Sequence, residues 1–204
     1  SEKEAVLKAI GDAGAEWESS PFLADFIRVR SIQPLLRGGF FKRGAVRIQD
    51  EAAALVVKFV DPHPGSQVLD LCAAPGSKTT LLALLLEESG RVVAADIHKR
   101  RLRLVRQNVA LSGVKNVEVE VADGVAPPAS WKLAFDHVLL DAPCTGFGVL
   151  GKRADMRWRR TESDLSDLIA LQRKLMDGAA SCVKVGGILT YSTCSVDPEE
   201  NEAQ

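Results

Sequence analysis

The sequence predicts an α/β protein built on a mainly parallel, Rossmann-like sheet with helices on both faces. Three observations predict it. From Gly65 onward, short apolar runs alternate with longer helical stretches at the spacing of successive βαβ units. Aspartates stand at the ends of four of these runs: Asp70, Asp96, Asp123 and Asp141. The turn after the first run, Cys72-Ala73-Ala74-Pro75-Gly76-Ser77-Lys78, consists largely of small residues and opens a helix. Such a turn lets a ligand come close to a helix N-terminus.

Each element has a local reason. Residues 2–13 read as a short helix with Val6, Leu7 and Ile10 on one side. Gly14, Ser19-Ser20-Pro21 and Gly38-Gly39 then break the pattern, and the mixed apolar and basic stretch from Phe22 to Ile48 reads as short strands and loops. Asp50 caps a helix over Glu51–Val60, which Pro62 and Pro64 end. Gln67–Cys72 is the first strand of the sheet, followed by a helix to about Glu88. Arg91–Asp96 is the second strand and Lys99–Ser112 a basic helix. Val117–Ala122 and Asp136–Asp141 are the third and fourth strands. A long loop leads to a helix over Glu162–Val185, and Gly186-Gly187 introduces a fifth strand, Ile188–Thr193.

Composition narrows the class. The 204 residues are 46% hydrophobic and 26% charged, proportions of a folded globular chain and not of a disordered or fibrous one. No uninterrupted apolar run exceeds six residues, against roughly 20 for a bilayer span. A net charge of -1 gives no bulk attraction to nucleic acid, so such a partner needs local basic patches. Four cysteines, Cys72, Cys144, Cys182 and Cys194, in a chain of this size suit a reducing compartment. Their spacing, with only three histidines, gives no zinc site, and no metal is expected.

The acidic rim points to a ligand. In a doubly wound sheet, ligands bind outside the carboxyl ends of the strands where the strand order reverses. Crowding four carboxylates there is costly unless a ligand takes their hydrogen bonds. Asp96 lies 26 residues after Asp70, where dinucleotide-binding folds place an acid on ribose hydroxyls. The first turn lacks the G-x-G-x-x-G pattern that a pyrophosphate favours. S-adenosylmethionine, with an amino-acid carboxylate and an adenosine, fits without it, and Lys78 reads as a contact to that ligand.

Two cysteines sit beyond strand ends on the same rim, Cys144 after Asp141-Ala142-Pro143 and Cys194 after Tyr191-Ser192-Thr193. Cys182, inside a helix, reads as a small buried residue. A thiol beside a methyl donor suggests cytosine C5 chemistry. Carbon 5 is a poor nucleophile until a thiolate adds at carbon 6. A donor on the ring nitrogen then stabilises the developing charge, and Asp141, as a protonated carboxyl, is placed for it. On the residues alone, either Cys144 or Cys194 could be the nucleophile.

The segments Asp70-Leu71-Cys72-Ala73-Ala74-Pro75-Gly76-Ser77-Lys78-Thr79-Thr80, Asp141-Ala142-Pro143-Cys144-Thr145-Gly146 and Tyr191-Ser192-Thr193-Cys194-Ser195-Val196 together resemble the Fmu/Sun (RsmB-type) RNA cytosine-C5 methyltransferases. Pro198-Glu199-Glu200-Asn201-Glu202 and Arg47-Ile48-Gln49-Asp50-Glu51-Ala52 resemble the same family, so the likeness runs from about Arg47 to the C-terminus. It implies a Rossmann-like class I methyltransferase with S-adenosylmethionine as cofactor. It implies Cys194 as nucleophile and Cys144 as the residue that assists breakdown of the covalent adduct. It also implies cofactor contacts from Cys72, Ala73, Ala74, Pro75, Gly76, Ser77, Lys78, Asp96, Asp123 and Asp141, with Asp96 on the ribose and Asp123 near the adenine. Ser77 stands where that family most often has glycine.

Two basic clusters offer local attraction. Lys99, Arg100, Arg101, Arg103 and Arg106 read as a solvated helix face, whereas Lys152, Arg153, Arg157 and Trp158, with Arg159 and Arg160, follow the Cys144 loop and read as RNA contacts. The resemblance implies ribosomal RNA as substrate ahead of transfer RNA, a monomer, no membrane and a bacterial-type cytoplasm, or an organelle or nucleolus in a eukaryote. A non-catalytic RNA-binding assembly factor on the same fold is the competing class. Residues 1–45 read as part of an RNA-binding subdomain and 46–204 as a catalytic domain that ends before the family's C-terminal strand pair.

Overall fold

The computed structural model describes residues 2–87, 89–151 and 162–204. Element order is α1 (Glu2–Asp12), β1 (Trp17–Ser19), β2 (Ile27–Val29), α2 (Gln33–Arg37), α3 (Glu51–Val60), β3 (Gln67–Asp70), α4 (Ser77–Leu85), β4 (Arg91–Asp96), α5 (Lys99–Ser112), β5 (Val117–Val121), β6 (Phe135–Asp141), α6 (Glu162–Cys182) and β7 (Val183–Ser192). Strands β3 to β7 form one sheet in the order β5-β4-β3-β6-β7, and every pairing is parallel. Strand order reverses between β3 and β6, which opens a crevice at their carboxyl ends.

Alternation along the strands decides which helices cover which face. Leu69, Val93, Ala95, Val138 and Leu140 point to one side and pack with Leu175, Ala179 and Cys182 of α6. Val68, Val92 and Leu139 point to the other side, under Val57 and Val60 of α3 and Leu82 and Ala83 of α4. Ala94 meets Leu102 and Val105 of α5 on that second side. Strands buried on both faces lose the polar alternation of an open sheet, which is why Val92 to Ala95 is a continuous apolar run.

Helix α3 begins where Asp50 accepts a hydrogen bond from the Ala52 N–H at 3.1 Å, as its N-cap position requires. The N-terminal segment forms its own small cluster of Ile10, Ala15, Leu35 and Phe40, with Val6 packed against it. It is tied to the sheet domain by an ion pair between Arg28 and Glu51 at 2.8 Å. Two of the expected loops need correction. A five-residue helix, α2, lies between Phe22 and Ile48, too short to show a helical period. Strand β7 begins at Val183, so α6 ends at Cys182 and Gly186-Gly187 lies inside the strand. There the register shifts between Phe135 and His137 of β6, and Gly186, at φ +82°, takes up the irregularity. Strand β3 ends at Asp70, two residues before the expected Cys72, although the next residues still bond to the neighbouring strands. Leu71 donates to the Leu139 carbonyl of β6 and Ala73 to the Ala95 carbonyl of β4, both at 2.9 Å. Helix α4 ends at Leu85, short of the expected Glu88.

Helix α6 lies close against the turn after β5. A methyl group on Gly178 would stand 2.0 Å from the Gly124 carbonyl oxygen. Gly178→Ala is therefore expected to cost about 2 kcal/mol net, since backbone overlap outweighs the roughly 1 kcal/mol that alanine adds to an open helix position. A lowered urea midpoint with unchanged slope would register it.

Candidate active site

The turn after β3 forms a cradle. Its apex, Gly76, takes φ +103°, and a Cβ there would meet the Val105 Cα at 2.9 Å. Glycine is needed on both counts, and it leaves the first turn of α4 without a side-chain cap. Helix α5 braces the loop from outside. Arg101 donates to the Ala74 carbonyl at 2.8 Å and Asn108 to the Pro75 carbonyl at 2.9 Å. Arg101 was expected on a solvated face, and its guanidinium also lies 3.2 Å from Asp96. Arg106 similarly donates to the Val119 carbonyl at 3.1 Å.

Two carboxylates border the cradle. Asp70 is buried beneath it, one oxygen accepting from the Thr79 hydroxyl at 2.6 Å and the other without a hydrogen bond. Burial pushes its pKa up to about 7, and the neighbouring Asp141 and Asp96 add to the rise. Asp96, also buried, accepts from the His98 N–H at 2.8 Å, while its second oxygen makes no hydrogen bond. Asp123 stands apart, exposed two residues beyond β5, and accepts from the Val125 N–H at 2.9 Å. Cys72 is half-buried below the rim, and burial pushes its thiol up to about 12.

Across the crevice, parallel pairing of Asp141 with Ser192 brings the loops after β6 and β7 together. The Cys144 and Cys194 sulfurs lie 3.2 Å apart, and the Cys194 N–H donates to the Cys144 sulfur at 3.3 Å. Cys144 is buried and Cys194 exposed. A negative charge is held more cheaply on the exposed sulfur, and the Cys144 thiol donates to it. This hydrogen bond is the main cause lowering Cys194 to about 7, with a smaller contribution from Lys78. Its counterpart, together with burial, raises Cys144.

Lys78 does not end in open solvent. Its ammonium donates to Asp141 at 2.6 Å, and Ser192 donates to the other oxygen at 2.9 Å. The expectation of Asp141 as a protonated donor therefore changes: both its oxygens accept, and Lys78 is the donor of the pair.

Glu200 holds these loops in place. Its side chain is fully buried and accepts from the Thr145 N–H at 2.8 Å, from the Thr145 hydroxyl, and from Gln172 at 3.0 Å. Gln172, on α6, also donates to the Pro143 carbonyl at 2.9 Å, and Tyr191 donates to the Glu200 carbonyl at 2.9 Å. One carboxylate thus ties the Cys144 loop to α6 and to the chain after Cys194. Burial alone would raise its pKa, but the hydrogen bonds from Ser195, Thr145 and Gln172 outweigh it and the net shift is downward.

The structure brings together Cys144, Cys194, Asp141 and Lys78, with Cys72, Ala73, Ala74, Pro75, Gly76 and Ser77 forming the adjacent cradle and Asp96 bordering it. Lys152, Arg153, Arg157 and Trp158 lie outside the described residues. Sequence reasoning missed Glu200, Gln172, Arg101 and Asn108 as supports. Glu200 lies beside Glu199, Asn201 and Glu202, so nothing local sets it apart from its acidic neighbours, and its partners come from distant elements. Among the described residues no group of side chains could hold a metal ion, and no helix is long and apolar enough to cross a membrane.

Two measurements test this geometry. Glu200→Gln turns an amide N–H toward donors and is expected to cost about 2 kcal/mol at neutral pH. Because the native carboxyl is depressed, this stabilisation is complete above its ordinary value of 4.5 and is lost as pH falls through the lower native value. Denaturation curves of the two proteins should therefore converge in acid. Alkylation of Cys194 by iodoacetamide should reach half its maximal rate near pH 7, and Cys144→Ala should move that midpoint toward the ordinary 9.0.

The chain is similar to known proteins along nearly its whole length. The chain is 38% identical over 204 residues to a protein of Salmonella arizonae named ribosomal RNA small subunit methyltransferase B, covering 99% of this chain and 47% of that one. It therefore spans about half the length of that curated relative. It superposes on a methyltransferase homolog protein from Pyrococcus horikoshii with TM-score 0.84 at 33% identity, over 98% of this chain and 63% of the other. NSun6 from Pyrococcus horikoshii with SFG gives TM-score 0.73 at 34% identity, over 80% of this chain and 42% of the other. The family described as 16S rRNA methyltransferase RsmB/F matches residues 57–204, a span that takes in the cradle, both cysteine loops and Glu200, and to this family the chain belongs.

Proposed function

We propose that this chain transfers a methyl group from S-adenosylmethionine to carbon 5 of a cytosine in RNA, ribosomal RNA before transfer RNA, through a covalent adduct of Cys194 at carbon 6. The observation that carries this reading is the exposed Cys194 sulfur, lowered in pKa, 3.2 Å from a buried thiol and on the same rim as the Lys78–Asp141 pair. A small-molecule methyltransferase needs neither cysteine, and a non-catalytic assembly factor has no use for a depressed thiol.

The residues fit the cofactor. Asp70 and Asp96 each offer a buried carboxylate oxygen without a hydrogen bond, and the backbone at Gly76 leaves room that a Cβ would fill. Asp96 would take ribose hydroxyls, Cys72 to Lys78 and the opening turn of α4 the amino-acid end, and Asp123 the adenine side. The carboxylates of Asp70, Asp96 and Asp141, close enough to one another to add to the rise that burial gives Asp70, favour a cationic ligand, and SFG, an S-adenosylmethionine analogue, accompanies one relative. When bound, S-adenosylmethionine supplies an electrophilic methyl group.

The chain's own groups prepare the base. A cytosine in structured RNA is flipped out to reach the rim. Asp141 accepts from its exocyclic amino group while the Lys78 ammonium donates to the ring acceptors, which stabilises charge as the Cys194 thiolate adds at carbon 6. Cys144 donates a hydrogen bond to the Cys194 sulfur. That bond keeps the nucleophile ionised and, as water takes the proton from carbon 5, makes the same sulfur a better leaving group.

Cys194→Ala should reduce transfer of labelled methyl to unmodified small-subunit ribosomal RNA to background. Cys144→Ala should retain attack and accumulate an RNA–protein adduct on a denaturing gel. Activity in Cys194→Ala would remove the nucleophile from this reading.

A further inference from the structure

We propose that Cys144 and Cys194 are also a modification site, forming a reversible intramolecular disulfide when the chain meets a peroxide. Its geometry comes from the fold and needs no ligand. Adjacent parallel strands β6 and β7 hold the two loops, with the Ala142 N–H donating to the Ser192 carbonyl at 2.9 Å and the Gly148 N–H to the Cys194 carbonyl at 3.0 Å. The sulfurs, 3.2 Å apart, need to close by about 1.2 Å to reach the roughly 2.05 Å of a disulfide.

The two thiols differ as a redox pair requires. Cys194 is exposed and readily ionised, the properties of a thiol that a small oxidant attacks first. Cys144 is buried beside it and shielded from direct oxidation, in the position of a resolving thiol. The remaining cysteines do not compete. Cys182 lies buried in α6, donating to the Gly178 carbonyl, and the Cys72 thiol is held protonated by burial.

Both steps balance. The Cys194 thiolate attacks one peroxide oxygen, the O–O bond breaks, and a sulfenic acid and hydroxide form. The Cys144 sulfur then attacks the sulfenic sulfur, the S–O bond breaks, and hydroxide leaves with the Cys144 proton as water. Two thiols are oxidised by two electrons in all and one peroxide becomes two waters. A dithiol reverses the change by exchange. The consequence for methyl transfer rests on the proposed function, because the disulfide takes the nucleophile away, whereas the cross-link itself does not.

The test uses the 204-residue chain and one equivalent of hydrogen peroxide. Free thiols measured under denaturing conditions should fall from four to two, and peptide mass spectrometry should find the Cys144 and Cys194 peptides joined and two hydrogens lighter. Alkylation of Cys194 should slow at least about tenfold, and dithiothreitol should restore it. Cys182→Ala should still form the cross-link. Given a second equivalent of peroxide, Cys144→Ser should instead carry Cys194 on to sulfinic acid, which dithiothreitol does not reverse. Sulfinic acid at Cys194 in the unaltered chain without a joined peptide would overturn the proposal, as would cross-links only between chains. A chain that forms the cross-link but never methylates RNA when reduced would leave this inference standing and remove the proposed function. Methylation without a cross-link would do the reverse.

Discussion

Glu200 carries a charge where no water reaches it, and three donors from two other parts of the chain make that tolerable. Isolated, a buried carboxylate would cost several kcal/mol or take up a proton. Here its hydrogen bonds reach the Cys144 loop at Thr145 and α6 at Gln172, while Glu200 itself lies six residues after Cys194. The two cysteine loops are thereby held at one separation. Everything chemical at this end of the crevice depends on that separation, since a thiol hydrogen bond fades within a fraction of an ångström.

The opposite wall is rigid for a different reason. Val105 approaches too closely for any Cβ at Gly76, and Arg101 and Asn108 hold the two carbonyls before it, those of Ala74 and Pro75. The cradle is thus shaped by packing and main-chain bonds, leaving one carboxylate oxygen on each of Asp70 and Asp96 without a hydrogen bond, that of Asp96 facing Arg101. Lys78 joins the walls: it starts on α4 in the cradle and ends on Asp141 of β6. Cofactor and base would meet across one salt bridge.

Much of the sheet was legible because its strands are short, apolar and separated by strong breakers. Asp50 as a cap and the boundaries of α3 and α5 match the expectation residue for residue. Helix α2 was not legible, being five residues long with Pro34 in its first turn. The glycines within β7 looked like a break because a bulge and a strand end have the same local signature, and only the partner strand distinguishes them. Net charge says little about local attraction, since -1 averages an acidic rim with basic segments elsewhere.

From the sequence alone follow the alternation of strands and helices, the family to which the motifs point, and the residue types gathered for chemistry, because each rests on local pattern. What only the tertiary structure decided is which of those groups touch. Lys78 and Asp141 are 63 residues apart and Cys144 and Cys194 are 50 apart, so no local rule sets their contact. It is set by strand order and register, which place β6 between β3 and β7. The same contact gives two cysteines of equal ordinary acidity opposite shifts, because one sulfur is open to water and the other is buried beside it.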